Sequence, residues 1–435
     1  MPRTPSDSPL PLQYRDRSAP PSTPDRGADV VRWLFPAYIF LILLSFFALW
    51  RPGAMPIGTN THDRAVFQAV NAATLTGFQL SIHPSAYYLP GQVILFVLTV
   101  IGTLFVLIVG GLAVKRILRL PWPDSRLVNS AILLEAIVVF VGWVAGMLAK
   151  DPQIRAFDAV FQSAAAFANS GLYISKAGPP AALAAHTHLV LIPFSVLGGL
   201  GLTVLLELFD SITLQRPLSR HAKIVLGATA ALYLIGLVAG ILLQLIGPPS
   251  IGSKSVWNSS STPEPLWRTI LLNASFTTLN ARTLGLPSAP VHSYYPPFAF
   301  LTLLMMMAGA SPGGTGGGLK TTTLCTLLSA PRRILRGESL GRPFAIAATW
   351  LGLYLLALVI IHPLLLRSAP QLGSEQSLFL TISALSNVGL SYDRVNTTGL
   401  GLYLLSAAMF FGRITPLLIL WWMADTTKDA DTAIG

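Results

Sequence analysis

Four short stretches carry residue types and a spacing that could handle a cation. They read Leu75-Thr76-Gly77-Phe78, Asn169-Ser170-Gly171-Leu172, Thr283-Leu284-Gly285-Leu286 and Asn387-Val388-Gly389-Leu390. Each closes an apolar run of roughly a dozen residues, which is too short to cross a bilayer and suits a re-entrant segment. Irregular backbone survives at membrane depth only where it lines a water-filled cavity or is buried in protein. Four half-helices, each ending in a glycine-containing extended stretch, can aim four sets of carbonyls at one axis. That is the design of a cation selectivity filter. One such tetrapeptide alone reads as a glycine that lets helices pack. Four in matching places favour the filter.

Two further features belong near such a pathway. The segment Gly309-Ala310-Ser311-Pro312-Gly313-Gly314-Thr315-Gly316-Gly317-Gly318 interrupts a long apolar run with six glycines and a proline, and no stable helix continues through that composition. Lys320 follows, but Leu319 separates it from the glycines and no strand precedes, so the phosphate-loop pattern fails. A bland kink is one reading, and a polar loop inside the pore cavity is the better one. Arg413 falls midway along the apolar run 401–424, where an arginine is costly and usually faces the protein interior. The other reading is a structural partner for helix-end carbonyls. Lys320 is expected nearer the cytoplasmic boundary, where snorkelling accounts for it as well as function does. The histidines have no metal-ligand spacing. Glu135, Glu207 and Asp210 are expected toward cytoplasmic helix ends, so no acidic chain crosses the spans as a proton relay would.

Composition fixes the class. The 435 residues are 52% hydrophobic and 11% charged, and several apolar runs exceed the ~18 residues that mark a membrane span. The formal charge of +11 does not point to nucleic acid, because the basic residues cluster in short segments between apolar runs. Cys325 is the only cysteine, which rules out an intrachain disulfide. No nucleophile and base, and no ligand set, converge in the pattern, so an enzyme is not expected.

The elements that must position these residues repeat. The sequence predicts long helix, short helix with filter, then long helix over 31–50, 63–75 and 90–118; 127–149, 153–168 and 187–209; 222–247, 263–279 and 296–328; and 343–366, 375–386 and 401–424. Glycines at 77, 171, 285 and 389 lie 94, 114 and 104 residues apart, which argues for duplication around a pseudo-fourfold axis. The resulting divisions are a disordered tail 1–29, repeats at 30–120, 121–215, 216–340 and 341–425, and a cytoplasmic tail 426–435. Short-helix caps are expected at Thr61-His62-Asp63, Asp151-Pro152, Thr262-Pro263-Glu264 and Ser374-Glu375. Basic residues between the repeats (Lys115 to Arg126, Arg216 to Lys223, Arg332 to Arg342) put those loops and both termini inside. The expectation is an all-α membrane protein with eight spanning helices and four filters entering from outside.

The filters, the segment Gly309–Lys320 and Phe411-Gly412-Arg413-Ile414-Thr415-Pro416 together resemble the Trk/Ktr/HKT superfamily of potassium transporters. The stretch Asn280-Ala281-Arg282-Thr283-Leu284-Gly285-Leu286 is especially similar to that family's third filter. The resemblance covers about 31–424 and, with eight spans, is nearest the Ktr-type membrane subunit. It implies a homodimer with one pore per protomer in the bacterial inner membrane, resting on a cytoplasmic ring of nucleotide-binding regulatory subunits of the RCK/KTN type. It implies a filter formed by Leu75, Thr76 and Gly77; Asn169, Ser170 and Gly171; Thr283, Leu284 and Gly285; and Asn387, Val388 and Gly389. It also implies a gate made by Gly309, Gly313, Gly314, Thr315, Gly316, Gly317, Gly318, Lys320 and Arg413. Glycine at all four filters goes with potassium as the transported ion. Sodium is the alternative, as coupling ion or cargo. A secondary symporter with broken helices is a more distant alternative, which would show inverted halves and midplane carboxylates. Thr415, Leu284 and Leu286 depart from the family's usual residues.

Overall fold

The computed structural model describes residues 26–148, 155–176, 178–179, 184–247, 265–286, 291 and 294–432; side chains at 26–30, 283 and 425–432 lie outside that description. The first half contains α1 (Arg26–Trp50), α2 (His62–Ala73), α3 (Leu89–Leu118), α4 (Asp124–Leu148), α5 (Ala156–Ala168), α6 (Ile192–Leu200) and α7 (Leu202–Leu214). The second contains α8 (Arg220–Ile246), α9 (Leu266–Leu279), α10 (Pro296–Met307), α11 (Thr321–Leu335), α12 (Gly341–Ser368), α13 (Ser374–Leu385) and α14 (Leu400–Thr432). Among the described residues six helices are long and apolar enough to cross a membrane, or seven if the bent pair α6–α7 is one span. This is a multi-pass membrane protein.

Helix boundaries follow the apolar runs closely, and the departures have local causes. The helix expected over 187–209 is broken. A wide π turn over Thr187–Leu191 leads into α6, and α6 meets α7 at a bend of 101°. The bend is at Gly201, with φ +81 and ψ 154, a backbone region open essentially to glycine alone. The run 296–328 is split as its glycines require: α10 and α11 are joined by 308–320 and neither half is long enough to span. At the ends, α1 begins at Arg26 inside the expected tail, and α14 continues to Thr432 past the expected stop at 424. The rest of the expected disordered tail, 1–25, lies outside the described residues.

The caps differ more. Thr61 makes no side-chain cap, and Gly373 rather than Ser374 precedes α13. Asp151-Pro152 and Thr262-Pro263-Glu264 lie outside the described residues. The start of α5 is held instead by Asp158, whose carboxylate accepts from the Arg155 backbone N at 3.2 Å and from its guanidinium at 2.7 Å.

Close packing fixes where the short helices end. A Cβ on Gly102 of α3 would lie 2.3 Å from Ala73 O; one on Gly198 of α6 would lie 1.9 Å from Phe167 O; one on Gly412 of α14 would lie 2.1 Å from Leu385 O. Only a residue without a side chain lets these helices sit directly on those carbonyls. From the other side Tyr38 of α1 stacks on Phe105 of α3, 4.0 Å between ring centres, and donates to Ala73 O at 2.6 Å.

Candidate ion pathway and the adjoining glycine-rich loop

The four glycine stretches meet. A Cβ on Gly77 would lie 2.1 Å from Gly171 N; on Gly171, 2.0 Å from Gly285 O; on Gly285, 1.8 Å from Val388 O; on Gly389, 2.1 Å from Thr76 O. Each stretch touches the next, and the last returns to the first. Three of them leave their short helix alike, with Leu75, Asn169 and Asn387 in the left-handed region at φ +58, +56 and +48. The third differs. Helix α9 widens into a π turn over Asn280–Leu284, and Gly285 takes the positive φ of +65.

Side chains behind the backbone hold it in place. Asn71 accepts from the N–H groups of Gly77 and Phe78, both at 2.9 Å, and donates to Phe78 O at 2.9 Å. Asn280 does the same for Leu286, at 2.7 and 2.8 Å. Asn387 joins its own stretch to the first through Thr76 Oγ1 at 3.0 Å, and to α14 through Met409 O at 2.8 Å. Ser170, Leu284 and Val388 are fully buried beside these groups.

The glycine-rich segment 308–320 lies against the C-terminal ends of the short helices. Thr315 Oγ1 donates to Phe167 O at 2.9 Å and accepts from Asn169 Nδ2 at 2.7 Å. Its backbone N donates to Gly198 O at 3.0 Å, and Ser311 N to Gly199 O at 3.1 Å. Ser311 Oγ donates to Leu200 O at 2.6 Å. Gly317 approaches Ser386 O so closely that a Cβ would lie 2.0 Å away, and Gly313 meets Gly110 of α3 in the same way. Gly314 is packed on Gly199 O, and Gly309 and Gly318 on each other across the loop's neck. Helices α6 and α7 therefore seat the loop at their break.

Arg413 is 3% exposed. Its Nε donates to Thr74 O at 2.7 Å and its Nη1 to Thr315 O, while Nη2 has no partner among the described residues. Arg413 thus bridges one loop carbonyl, Thr315 O, to the end of α2 at Thr74 O. Lys320 does not snorkel. It is 7% exposed and its Nζ turns back to Gly316 O at 2.8 Å. Glu135 also departs from expectation. It lies in the middle of α4, buried, with both carboxyl oxygens unpartnered among the described residues.

Sequence reasoning missed Arg282 as a contributor. It is buried and reaches Ala308 O at 3.3 Å, Gly309 O at 3.2 Å and Thr229 O at 3.4 Å, fastening the entry of the loop to the third stretch. It missed Asn71 too, which lies in a helix that also carries His62, Asp63, Arg64 and Gln68 and so does not stand out by polarity, and Ser195, whose hydroxyl donates to Asn169 Oδ1 and whose carbonyl accepts from Asn169 Nδ2 at 3.0 Å. The arrangement brings four glycine stretches into mutual backbone contact and sets beside them a loop whose carbonyls accept from Arg413, Arg282 and Lys320.

The family model described as TrkH, cation transport protein, matches residues 126–424. The Ktr system potassium uptake protein B of Vibrio alginolyticus is 27% identical, over 88% of this chain and 90% of its own length. Its Bacillus subtilis counterpart is 25% identical, over 92% and 96%. The potassium/sodium uptake protein NtpJ of Enterococcus hirae is 24% identical, over 88% and 90%. The crystal structure of the potassium transporter TrkH from Vibrio parahaemolyticus superposes with a TM-score of 0.65 at 18% identity, covering 88% of this chain and 84% of that one. With the model spanning most of the sequence and the relatives matching nearly end to end, the chain belongs to the TrkH family of cation transport proteins, as a membrane subunit of the Trk/Ktr type.

Proposed function

We propose that this chain is the pore-forming subunit of a bacterial potassium uptake system in the inner membrane, conducting K⁺ down its electrochemical gradient without catalysis. The observation that carries this is the closed succession of contacts from Gly77 to Gly171, Gly285, Val388 and back to Thr76, which supports a filter around a pseudo-fourfold axis. In this reading the halves α10 and α11 make an eighth span, both termini are cytoplasmic, and the filter faces outside. Loop 308–320 is the gate. Arg413, Arg282 and Lys320 hold it shut and place positive charge on the cation's route.

The functional unit is a homodimer in lipid, resting on a cytoplasmic ring of nucleotide-binding regulatory subunits. Sodium is the second reading, as cargo or coupling ion, and the relative named as a potassium/sodium uptake protein favours keeping it.

Expression in a potassium-uptake-deficient bacterium, together with the cognate regulatory subunit, should restore growth at low K⁺. Comparing growth with and without added Na⁺ separates the two readings. Failure to grow, with the protein shown to be in the membrane, overturns both.

A further inference from the structure

Gln79 follows the first glycine stretch and is 3% exposed. Its amide nitrogen donates to Gly77 O at 2.9 Å and to Gly171 O at 2.8 Å. Both partners are carbonyls, which only accept, so the nitrogen is necessarily the end that faces them. The amide oxygen is buried and has no partner among the described residues. The matching positions of the other stretches are Tyr173, Pro287 and Ser391, none of which carries a terminal NH₂ group. The bond is therefore particular to one side of the ring. It takes two of the carbonyls from which a cation site would be built.

We propose that Gln79 is a specificity-determining residue, whose NH₂ group competes with the cation for the carbonyls of Gly77 and Gly171. The proposal rests on the filter reading above. An amide N–H presents partial positive charge to an oxygen, as a dehydrated cation does, so the two claim the same lone pairs. A cation binding there must displace the amide or share its acceptors. Displacement forfeits no acceptor bond, because the amide oxygen has none to lose. Gln79 thus lowers affinity for the ion while leaving the ring intact.

The test is calorimetric titration of K⁺ into the purified full-length protein, as wild type, Gln79→Leu and Gln79→Glu. Leucine keeps the bulk without a donor, and glutamate keeps the shape while replacing the donor by an acceptor that also carries negative charge, so leucine isolates the loss of the donor. Both should bind K⁺ more tightly, with Kd lower by on the order of tenfold, equivalent to about 1.4 kcal/mol. A Kd within twofold of wild type, or a higher one, overturns the proposal. So does a loss of K⁺ over Na⁺ preference without tighter binding, which would make Gln79 a strut between stretches. If Gln79→Leu is poorly recovered, the neutral and flexible Gln79→Met decides by the same criterion. Wild type that binds no K⁺ is a separate outcome: it sinks the filter reading and this proposal with it.

Discussion

A side chain at position 77 has nowhere to go. Its Cβ would fall 2.1 Å from Gly171 N, and the backbone holds φ at +92, a region that costs a non-glycine residue about 1–2 kcal/mol. Gly77→Ser must therefore push the first stretch away from Gly171, with Asn71 still bracketing its backbone. We expect the Rb⁺/Na⁺ flux ratio in proteoliposomes to fall by roughly tenfold, equivalent to about 1.4 kcal/mol; an unchanged ratio would remove Gly77 from the filter. Glu135 gives a prediction of opposite sign. A buried carboxyl without hydrogen bonds costs about 1–3 kcal/mol, so Glu135→Leu should raise the melting temperature in detergent and leave flux unaltered. A lower melting temperature would mean that the carboxyl is satisfied after all. The same residue shows why its position escaped sequence reasoning. Glu135 reads as a helix-end acid when only the neighbouring basic loop is in view, whereas its depth depends on where α4 begins.

At the scale of elements, the break between α6 and α7 and the loop 308–320 form one assembly, since Ser311 and Thr315 bond to Gly198, Gly199 and Leu200. Gly201→Ala should strain that break by about 1–3 kcal/mol and loosen the loop's seat, which is read as a lower melting temperature together with faster Rb⁺ leak. Arg413→Ala leaves Thr74 O and Thr315 O without their donor. We expect higher flux and weaker dependence on the regulatory subunit, and folded mutant protein with unchanged flux would remove Arg413 from the gate. The half-helices and their glycines were legible because apolar run length and Gly spacing are local properties. The bend at Gly201 was not, because Gly198-Gly199-Leu200-Gly201 within an apolar run reads as a small-residue packing face. The inward turn of Lys320 and the reach of Arg282 were hidden for a different reason. Lys320 turns to Gly316 O within its own irregular loop, and Arg282 reaches carbonyls of Ala308 and Gly309 at a break in another segment; no helical or strand period encodes either contact.

At the scale of the whole molecule, the proposed orientation can be tested in a background where Cys325 is replaced by Ala. Cysteines at Ser125 and Arg220 should resist an impermeant external thiol reagent in intact cells, and one at Ala86 should react; external labelling of the first two would invert the topology. The loop carrying Ala86 also contains His83, which burial, with Arg394 nearby, pushes down to about 3. A depressed histidine favours the neutral form in the fold, so its contribution is complete above the ordinary value near 6.5 and is lost as pH falls from there toward 3. Melting temperature should drop between pH 6.5 and 4, and His83→Gln should flatten that drop. The contacts around the glycine ring carry a last consequence. A pore assembled from four identical chains cannot alter one wall without altering all of them. Here each quarter is encoded separately, and among the described residues the walls already differ: an asparagine bracket at the first and third, a π turn at the third, the Gln79 amide between the first and second, and the Asn387 amide between the fourth and first. In the proposed filter, selection can therefore adjust one face at a time, and a single codon change alters one quarter while the sequence of the other three stays fixed.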